Sequence, residues 1–256
     1  MKLLIDFGNT RFKWAILQGG RLGEMSAASY ESDSPIDCLE SILQTLPLDS
    51  ANEVHVVSVL SEEFNSRFKK AANENYNIPV DFYFSHKEKY GVLLSYANPE
   101  DYGADRYASM VAVHHIFSGN KIVIDCGTAV TIDAIDQQGK HLGGIILAGE
   151  EILLASLADN AQRVFYDKPH TNPAYLNAST SDAVLAGAAL GLKHSVWGII
   201  NEIRHDLADH ILIFTGGNAA RLDDSANQPY HTNSALILEG LKIMLNLDNK
   251  ESQLNK

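Results

Sequence analysis

Apolar positions along this chain switch between strand-like and helix-like spacing. Leu3, Leu4, Ile5 and Phe7 flank a single acid, Asp6, and Phe12, Trp14 and Ile16 then alternate with other residues, as in two paired strands. Gly19-Gly20 turns the chain towards a third strand at residues 21–26. Residues 37–46 (DCLESILQTL) have helical spacing and stop at Pro47, and the β-branched residues 53–60 form a buried strand. Residues 61–73 read as a helix whose opening Ser61-Glu62-Glu63 supplies a cap and two acids where the helix dipole favours them. With a short strand at 80–84, the order β-β-β-α-β-α-β predicts a mixed sheet covered by helices. Periodicity then lapses in the turn-rich stretch GVLLSYANPEDYGADRY, which runs into an apolar helix at 104–117 with Asp105 near its N-terminus.

The pattern then repeats. Residues 121–135 and 141–147 give an apolar strand, Asp-x-Gly-small-small, an alternating strand, a polar turn and a third strand. Laid together without gaps, residues 6–21 and 125–140 agree at Asp6/Asp125, Gly8/Gly127, Ala15/Ala134, Ile16/Ile135, Gln18/Gln137 and Gly20/Gly139. These identities fall on the turns the fold needs, so the chain reads as two copies of one unit, with domains 1–117 and 118–256. Gly143-Gly144 and Gly149 bracket a strand leading to a helix at 150–157, and 158–179 reads as loop. In a long helix at 181–203, Ala183, Ala186, Gly187, Ala188, Ala189 and Gly191 make one face small, suiting close packing inside the chain or against another subunit. A strand at 210–214 ends at Thr215-Gly216-Gly217-Asn218-Ala219, and a last helix at 234–245 precedes a polar, frayed tail.

Composition narrows the function. With 20 basic and 32 acidic residues the net charge is −12, which argues against non-specific nucleic-acid binding and for a cytoplasmic protein. No run of 18 uninterrupted apolar residues points to a membrane span, and Asp6 breaks the N-terminal apolar run too early for a signal peptide. Cys38, Cys126 and the ten histidines show no metal-ligand spacing. Neither a Walker A pattern nor GxGxxG is present, which disfavours P-loop and Rossmann folds.

Three glycine turns at strand ends carry the candidate chemistry: residues 6–10, 125–129 and 215–219. Glycine lets backbone approach an anion, and successive amides at Gly8, Asn9 and Thr10 can form a phosphate-sized nest, although an ordinary hairpin has the same sequence. Carboxylates need a cation between themselves and phosphate, and Mg²⁺ suits that role. Residue chemistry alone therefore reaches a two-lobed ATP-dependent phosphotransferase or ATPase.

The pair DFGNT and DCGTA, with GADR between them and a Thr-Gly-Gly turn downstream, resembles the phosphate-1, phosphate-2 and adenosine motifs of the acetate and sugar kinase, Hsp70 and actin superfamily. Together with YxNPxxxGADR and a TxxA helix start, the pattern across residues 1–245 resembles the type III pantothenate kinases. The resemblance implies an α/β fold of duplicated actin-like (ribonuclease H-like) domains, each a mixed sheet flanked by helices. It implies ATP-dependent phosphorylation of pantothenate, the first step of coenzyme A biosynthesis, by a homodimer using Mg²⁺ and a monovalent cation, K⁺ or ammonium. By the same resemblance Asp6, Phe7, Gly8, Asn9, Thr10, Arg11, Phe12 and Lys13 contact ATP, with Asp6 near the metal, and Thr128 donates to a phosphate. Asp125 helps hold the monovalent cation. Gly103, Ala104, Asp105 and Arg106 meet pantothenate, with Asp105 the general base and Arg106 matched to a carboxylate. Tyr96 and Thr180 complete that site, in a pocket at the dimer interface, although Tyr96 also suits a core plug and Thr180 a helix cap. Tyr107 stands where many relatives carry Trp or Leu. The rival reading is a non-catalytic nucleotide-binding regulator, which has no need of GADR; a kinase for another small hydroxy acid is a third.

Overall fold

The computed structural model describes residues 1–32, 34–162, 164–166, 175–207, 209–222 and 229–254. Its strands begin with β1 (Lys2–Phe7), β2 (Arg11–Gln18), β3 (Arg21–Leu22), β4 (Ser26–Ser29), β5 (Glu53–Ser58) and β6 (Val80–Tyr83). A small hairpin, β7 (Glu88–Lys89) and β8 (Val92–Leu93), precedes the second set: β9 (Asn120–Cys126), β10 (Ala129–Ile135), β11 (His141–Ala148), β12 (His210–Thr215) and β13 (His231–Thr232). The helices are α1 (Leu39–Thr45), α2 (Glu62–Tyr76), α3 (Ala104–Ile116), α4 (Glu150–Asn160), α5 (Thr180–Asp206) and α6 (Leu236–Leu254).

The two main sheets share one topology. The first runs β3-β2-β1-β5-β6, with β4 also paired to β2, and the second runs β11-β10-β9-β12-β13. In the first, β1 is antiparallel to β2 and parallel to β5; in the second, β12 is parallel to both β9 and β13. The repeat read from the sequence is thus a repeat of strand order. Two compact units result, one from Met1–Ser118, Ile135–Gly143 and Ala235–Lys256, the other from Gly119–Ala134 and Gly144–Ser234. Where the sequence pattern suggests a single cut near residue 117, the last helix belongs with the first unit.

Alternation along the strands decides which side chains face which helices. Leu3, Ile5 and Phe7 of β1 share a core with Val54 and Val56 of β5, Ile42 and Leu43 of α1, and Phe64 and Phe68 of α2. Phe7 anchors it, meeting Phe64 and Phe68 edge-on at centroid distances of 5.1 and 4.9 Å, the arrangement that aromatic quadrupoles favour. Helix α2 is set at both ends: the Ser61 hydroxyl accepts from the Phe64 amide, and Asn77 closes the helix at φ 54°. In the second unit Ile122, Ile124, Val130 and Ile132 pack against Leu192, Val196, Trp197 and Ile200 of α5.

Two expectations change. The last helix does not fray after residue 245 but runs to Leu254, because Asp248 is held at 2.9 Å by both Lys89 Nζ and Tyr90 Oη. The third strand at 21–26 is two pieces, β3 and β4, both paired with β2.

Candidate active site

In the first unit, β1 carries Asp6 to the end of the sheet, opposite Lys13 in β2 and Val57 in β5. Asp6 is 5% exposed, and Lys13 Nζ lies 3.9 Å from its carboxylate. The turn between β1 and β2 closes with the Gly8 amide donating to the Arg11 carbonyl at 3.2 Å. The Tyr30 hydroxyl donates to the Gly8 carbonyl at 2.9 Å. Burial first, then the charge of Asp6, raises the Tyr30 pKa, so this phenol stays a donor. Asn9, Thr10 and Arg11 are exposed at the tip while Phe7 and Phe12 are buried, so the residues expected to contact ATP form one hairpin of two kinds: tip and anchor.

The second unit builds its turn differently. The Gly127 amide donates to the Ala129 carbonyl at 3.0 Å, and the Gly149 amide, at the start of α4, donates to the Thr128 carbonyl at 3.1 Å. The third glycine turn comes to the same place: Thr215 lies opposite Asp125 in the sheet, and the Asn218 amide donates to the Cys126 carbonyl at 3.0 Å. Gly216 adopts φ +86°, and a Cβ there would lie 2.5 Å from both Asp125 Oδ1 and the Cys126 carbonyl. Burial, then the charge of Asp125, pushes the Cys126 thiol up to about 12, so it is an inert core group rather than a nucleophile. Beyond Gly216 the chain makes a short 3-10 turn, Ala219–Leu222.

The segment before α3 is fixed by side chains, since its only helical turn is Pro99–Asp101. Lys87 Nζ donates to the carbonyls of Leu94 and Tyr96, each at 2.8 Å, and Ser85 Oγ donates to the Tyr102 carbonyl at 2.7 Å. Gly103 caps α3, where a Cβ would lie 2.6 Å from Asp105 Oδ1; that oxygen accepts from the Arg106 amide at 2.7 Å. Asp105 stands in the first turn, where the helix dipole favours its ionised form. Arg106 is buried, its guanidinium carbon 4.4 Å from the ring centre of Tyr102 and 5.9 Å from that of Tyr96. Tyr107, also buried, donates its hydroxyl to the Lys89 carbonyl at 2.9 Å.

The structure therefore brings Tyr96 and Arg106 together around Tyr102, beside Asp105, in the first unit. Asp125 and Thr128 share one turn of the second unit. Thr180, exposed, is the first residue of α5; the cap is Ser179, whose hydroxyl accepts from the Asp182 amide at 3.1 Å. Sequence reasoning passed over Lys87, Tyr30 and Tyr102. Tyr102 alone left a signal, an aromatic immediately before the glycine that opens α3.

Two mixed sheets of one strand order, each with an Asp-x-Gly turn after its first strand, define the class: an actin-like α/β protein. Solved structures share the fold. A Campylobacter jejuni protein described as a conserved transcriptional activator of the Baf family is 21% identical, with TM-score 0.62 over 97% of this chain and 99% of that one. The activator of 2-hydroxyisocaproyl-CoA dehydratase from Clostridium difficile, solved with bound ADPNP, is 15% identical, with TM-score 0.51 over 100% of this chain and 97% of that one. The family model for type III pantothenate kinase matches residues 2–202. Curated type III pantothenate kinases are similar along nearly the whole length. That of Nitrosococcus oceani is 30% identical over 94% of this chain and 92% of its own, and that of Chromobacterium violaceum 32% over 94% and 98%. The chain belongs to the type III pantothenate kinase family.

Proposed function

We propose that this protein transfers the γ-phosphoryl group of ATP to the primary hydroxyl of pantothenate, opening coenzyme A biosynthesis. The observation that carries this reading is the start of α3, where an acid in the first helical turn adjoins a buried guanidinium held on two tyrosine rings. Asp105 is the general base for the hydroxyl, and Arg106 presents its planar fork to the carboxylate. Gly103, Ala104 and Tyr96 line the same substrate, and Thr180 completes its site. The hairpin from Asp6 to Lys13 and the hydroxyl of Thr128 hold the phosphates of ATP.

Among the described residues, no group of three or more His, Cys, Asp or Glu side chains is arranged to hold a metal ion. Mg²⁺ keeps several waters and takes one or two carboxylates plus substrate phosphates. Buried Asp6 is the carboxylate in question, and bound Mg²⁺ would neutralise charge on the transferring group. The oxygens of Asp125 and the Cys126 carbonyl, both close to Gly216, suit a monovalent cation, K⁺ or ammonium.

The test is an ADP-release assay with K⁺ and a panel of hydroxylated acids including pantothenate. Turnover with pantothenate alone supports the proposal, and ADP release with none of them supports an ATPase or a regulator. Asp105→Asn should lower kcat by about 10²–10⁴ while leaving ATP binding intact. Replacing K⁺ by Na⁺ should cut activity; an equal rate would remove the cation role from Asp125.

The second unit leaves Ile145, Ile146, Ile152, Leu157, Phe165 and Leu176 exposed, and Gly187 and Gly191 of α5 have open space where a Cβ would be. Exposed apolar side chains of this kind support a homodimer joined through the second unit. By length and composition alone α5 also passes for a membrane span, as the core helix of a soluble protein can, and 39% of its most apolar window is buried. Light scattering on the purified protein should give a dimer, and Gly187→Arg a monomer. Co-sedimentation with lipid vesicles would favour the membrane instead.

A further inference from the structure

We infer that His141 is a positioning residue for the substrate carboxylate, a role that rests on Arg106 being the carboxylate anchor. His141 is the first residue of β11, has no solvent exposure, and belongs to the first unit with residues 135–143. Its ring centre lies 5.0 Å from that of Tyr102 and 6.1 Å from that of Tyr96. Those two tyrosines are themselves edge to face at 4.9 Å, and both carry the Arg106 guanidinium. His141 Nδ1 and Ser95 Oγ share a hydrogen bond of 2.9 Å, which fixes the residue immediately before Tyr96.

The physical need is clear from the loop. Between β8 and α3 the backbone is held by the turn Pro99–Asp101 and by Lys87 and Ser85 on the carbonyls of Leu94, Tyr96 and Tyr102, none of which orients the rings of Tyr96 and Tyr102. Packing on a strand residue does. An apolar residue would fill the same space, but only a polar one can also hold Ser95, and a buried imidazole is tolerated where it has such a partner. His141 thus acts at one remove: it sets the tyrosine pair, the pair sets the guanidinium plane, and a fork already in place loses little freedom when a carboxylate docks.

A double-mutant cycle on the full-length enzyme tests this. His141→Phe keeps a ring but loses the Ser95 bond, and Ser95→Ala loses the same bond with little change of volume. Each should raise KM for pantothenate by roughly five- to twentyfold, with KM for ATP unchanged and kcat within about twofold. In an Arg106→Gln background neither should raise it further. His141→Asn, whose amide can still meet Ser95, should restore much of the affinity. Equal effects with and without Arg106, or no effect of Ser95→Ala on KM, would overturn the role of His141 while leaving Arg106 as anchor. If Arg106→Gln itself leaves KM for pantothenate unchanged, the anchor fails and His141 loses its role with it. Should His141→Phe not fold, Ser95→Ala decides the question alone.

Discussion

The turns at residues 6–10 and 125–129 share a sequence pattern and a place in the sheet, yet they are held in different ways. The first is closed mainly by its own hairpin, through the Gly8 amide and the Arg11 carbonyl, with Tyr30 bonding it from outside by its hydroxyl to the Gly8 carbonyl and its amide to the Thr10 carbonyl. The second is a junction. Gly149 bonds Thr128, Asn218 bonds Cys126, and Gly216 lies against Asp125, so three distant stretches of chain meet there. A local turn can tolerate change at one residue, because its partners move with it. A junction cannot, because its partners are fixed by other elements.

Glycine substitutions should therefore separate the two most strongly. Gly216→Ala must hold a side chain at φ +86° and place its Cβ 2.5 Å from two oxygens. The backbone strain alone costs on the order of 1–3 kcal/mol, and the collision adds to it, so a total of about 4 kcal/mol is expected. At Gly8 the nearest atom to a new Cβ is the Arg11 carbonyl oxygen at 3.0 Å, and a shift of a few tenths of an ångström within the hairpin relieves it. Gly8→Ala should cost about 1 kcal/mol or less. Urea unfolding of both variants checks the contrast, and equal losses would break it.

The same contrast explains what the sequence could reveal. The Asp-x-Gly turns, the strand repeat and the start of α3 were legible because each is written in adjacent residues: a period-two run, a glycine, an acid at a helix start. The convergence of Gly149 and Gly216 on the second turn was not, because it depends on pairing β12 with β9 across a long separation. The stretch of α6 beyond residue 245 is hidden from the sequence for the same reason, since the tether of Asp248 to Lys89 and Tyr90 is a tertiary contact. Strands β7, β8 and β13, two residues each, are too short to show any period. Among the site residues, Asp105 and Arg106 could be read from their motif, whereas the Tyr102 and His141 rings around them could not.

A smaller difference lies one strand over. In β5, His55 stands opposite Leu4, two residues before Asp6; in β12, Ile213 stands opposite Val123, two residues before Asp125. Both are buried. Burial lowers the pKa of His55, against the opposing pull of Glu53 and Asp81, with Lys2 adding to the lowering; burial lowers His86 too. With the folded pKa below the unfolded value of about 6.5, the unfolded chain binds a proton that the folded one refuses. Stability is then full above that pH and falls as pH drops below it, until the folded protein also takes up the proton. His55 contributes a slope of at most about 1.4 kcal/mol per pH unit, and the more exposed His86 less. His55→Ile, which copies the second sheet, should flatten the fall in urea stability between pH 6.5 and 5. An unchanged slope would assign the effect to His86 or elsewhere.

The least change is expected at the Tyr30 hydroxyl, which supports the first turn from outside the hairpin. Tyr30 stacks on Phe12 at 5.5 Å, and Phe12 on Trp14 at 5.3 Å, so Tyr30→Phe keeps the ring column and removes only the hydroxyl. The Gly8 carbonyl belongs to a partly exposed residue, so water can take the place of the lost donor. The cost to stability should be about 1 kcal/mol or less. Its effect on ATP is the sharper measurement. If the Tyr30 bond helps aim the amides of the tip, KM for ATP should rise roughly two- to fivefold, with KM for pantothenate unchanged. If stability falls but KM for ATP does not move, the Tyr30 hydroxyl supports the turn without aiming its tip.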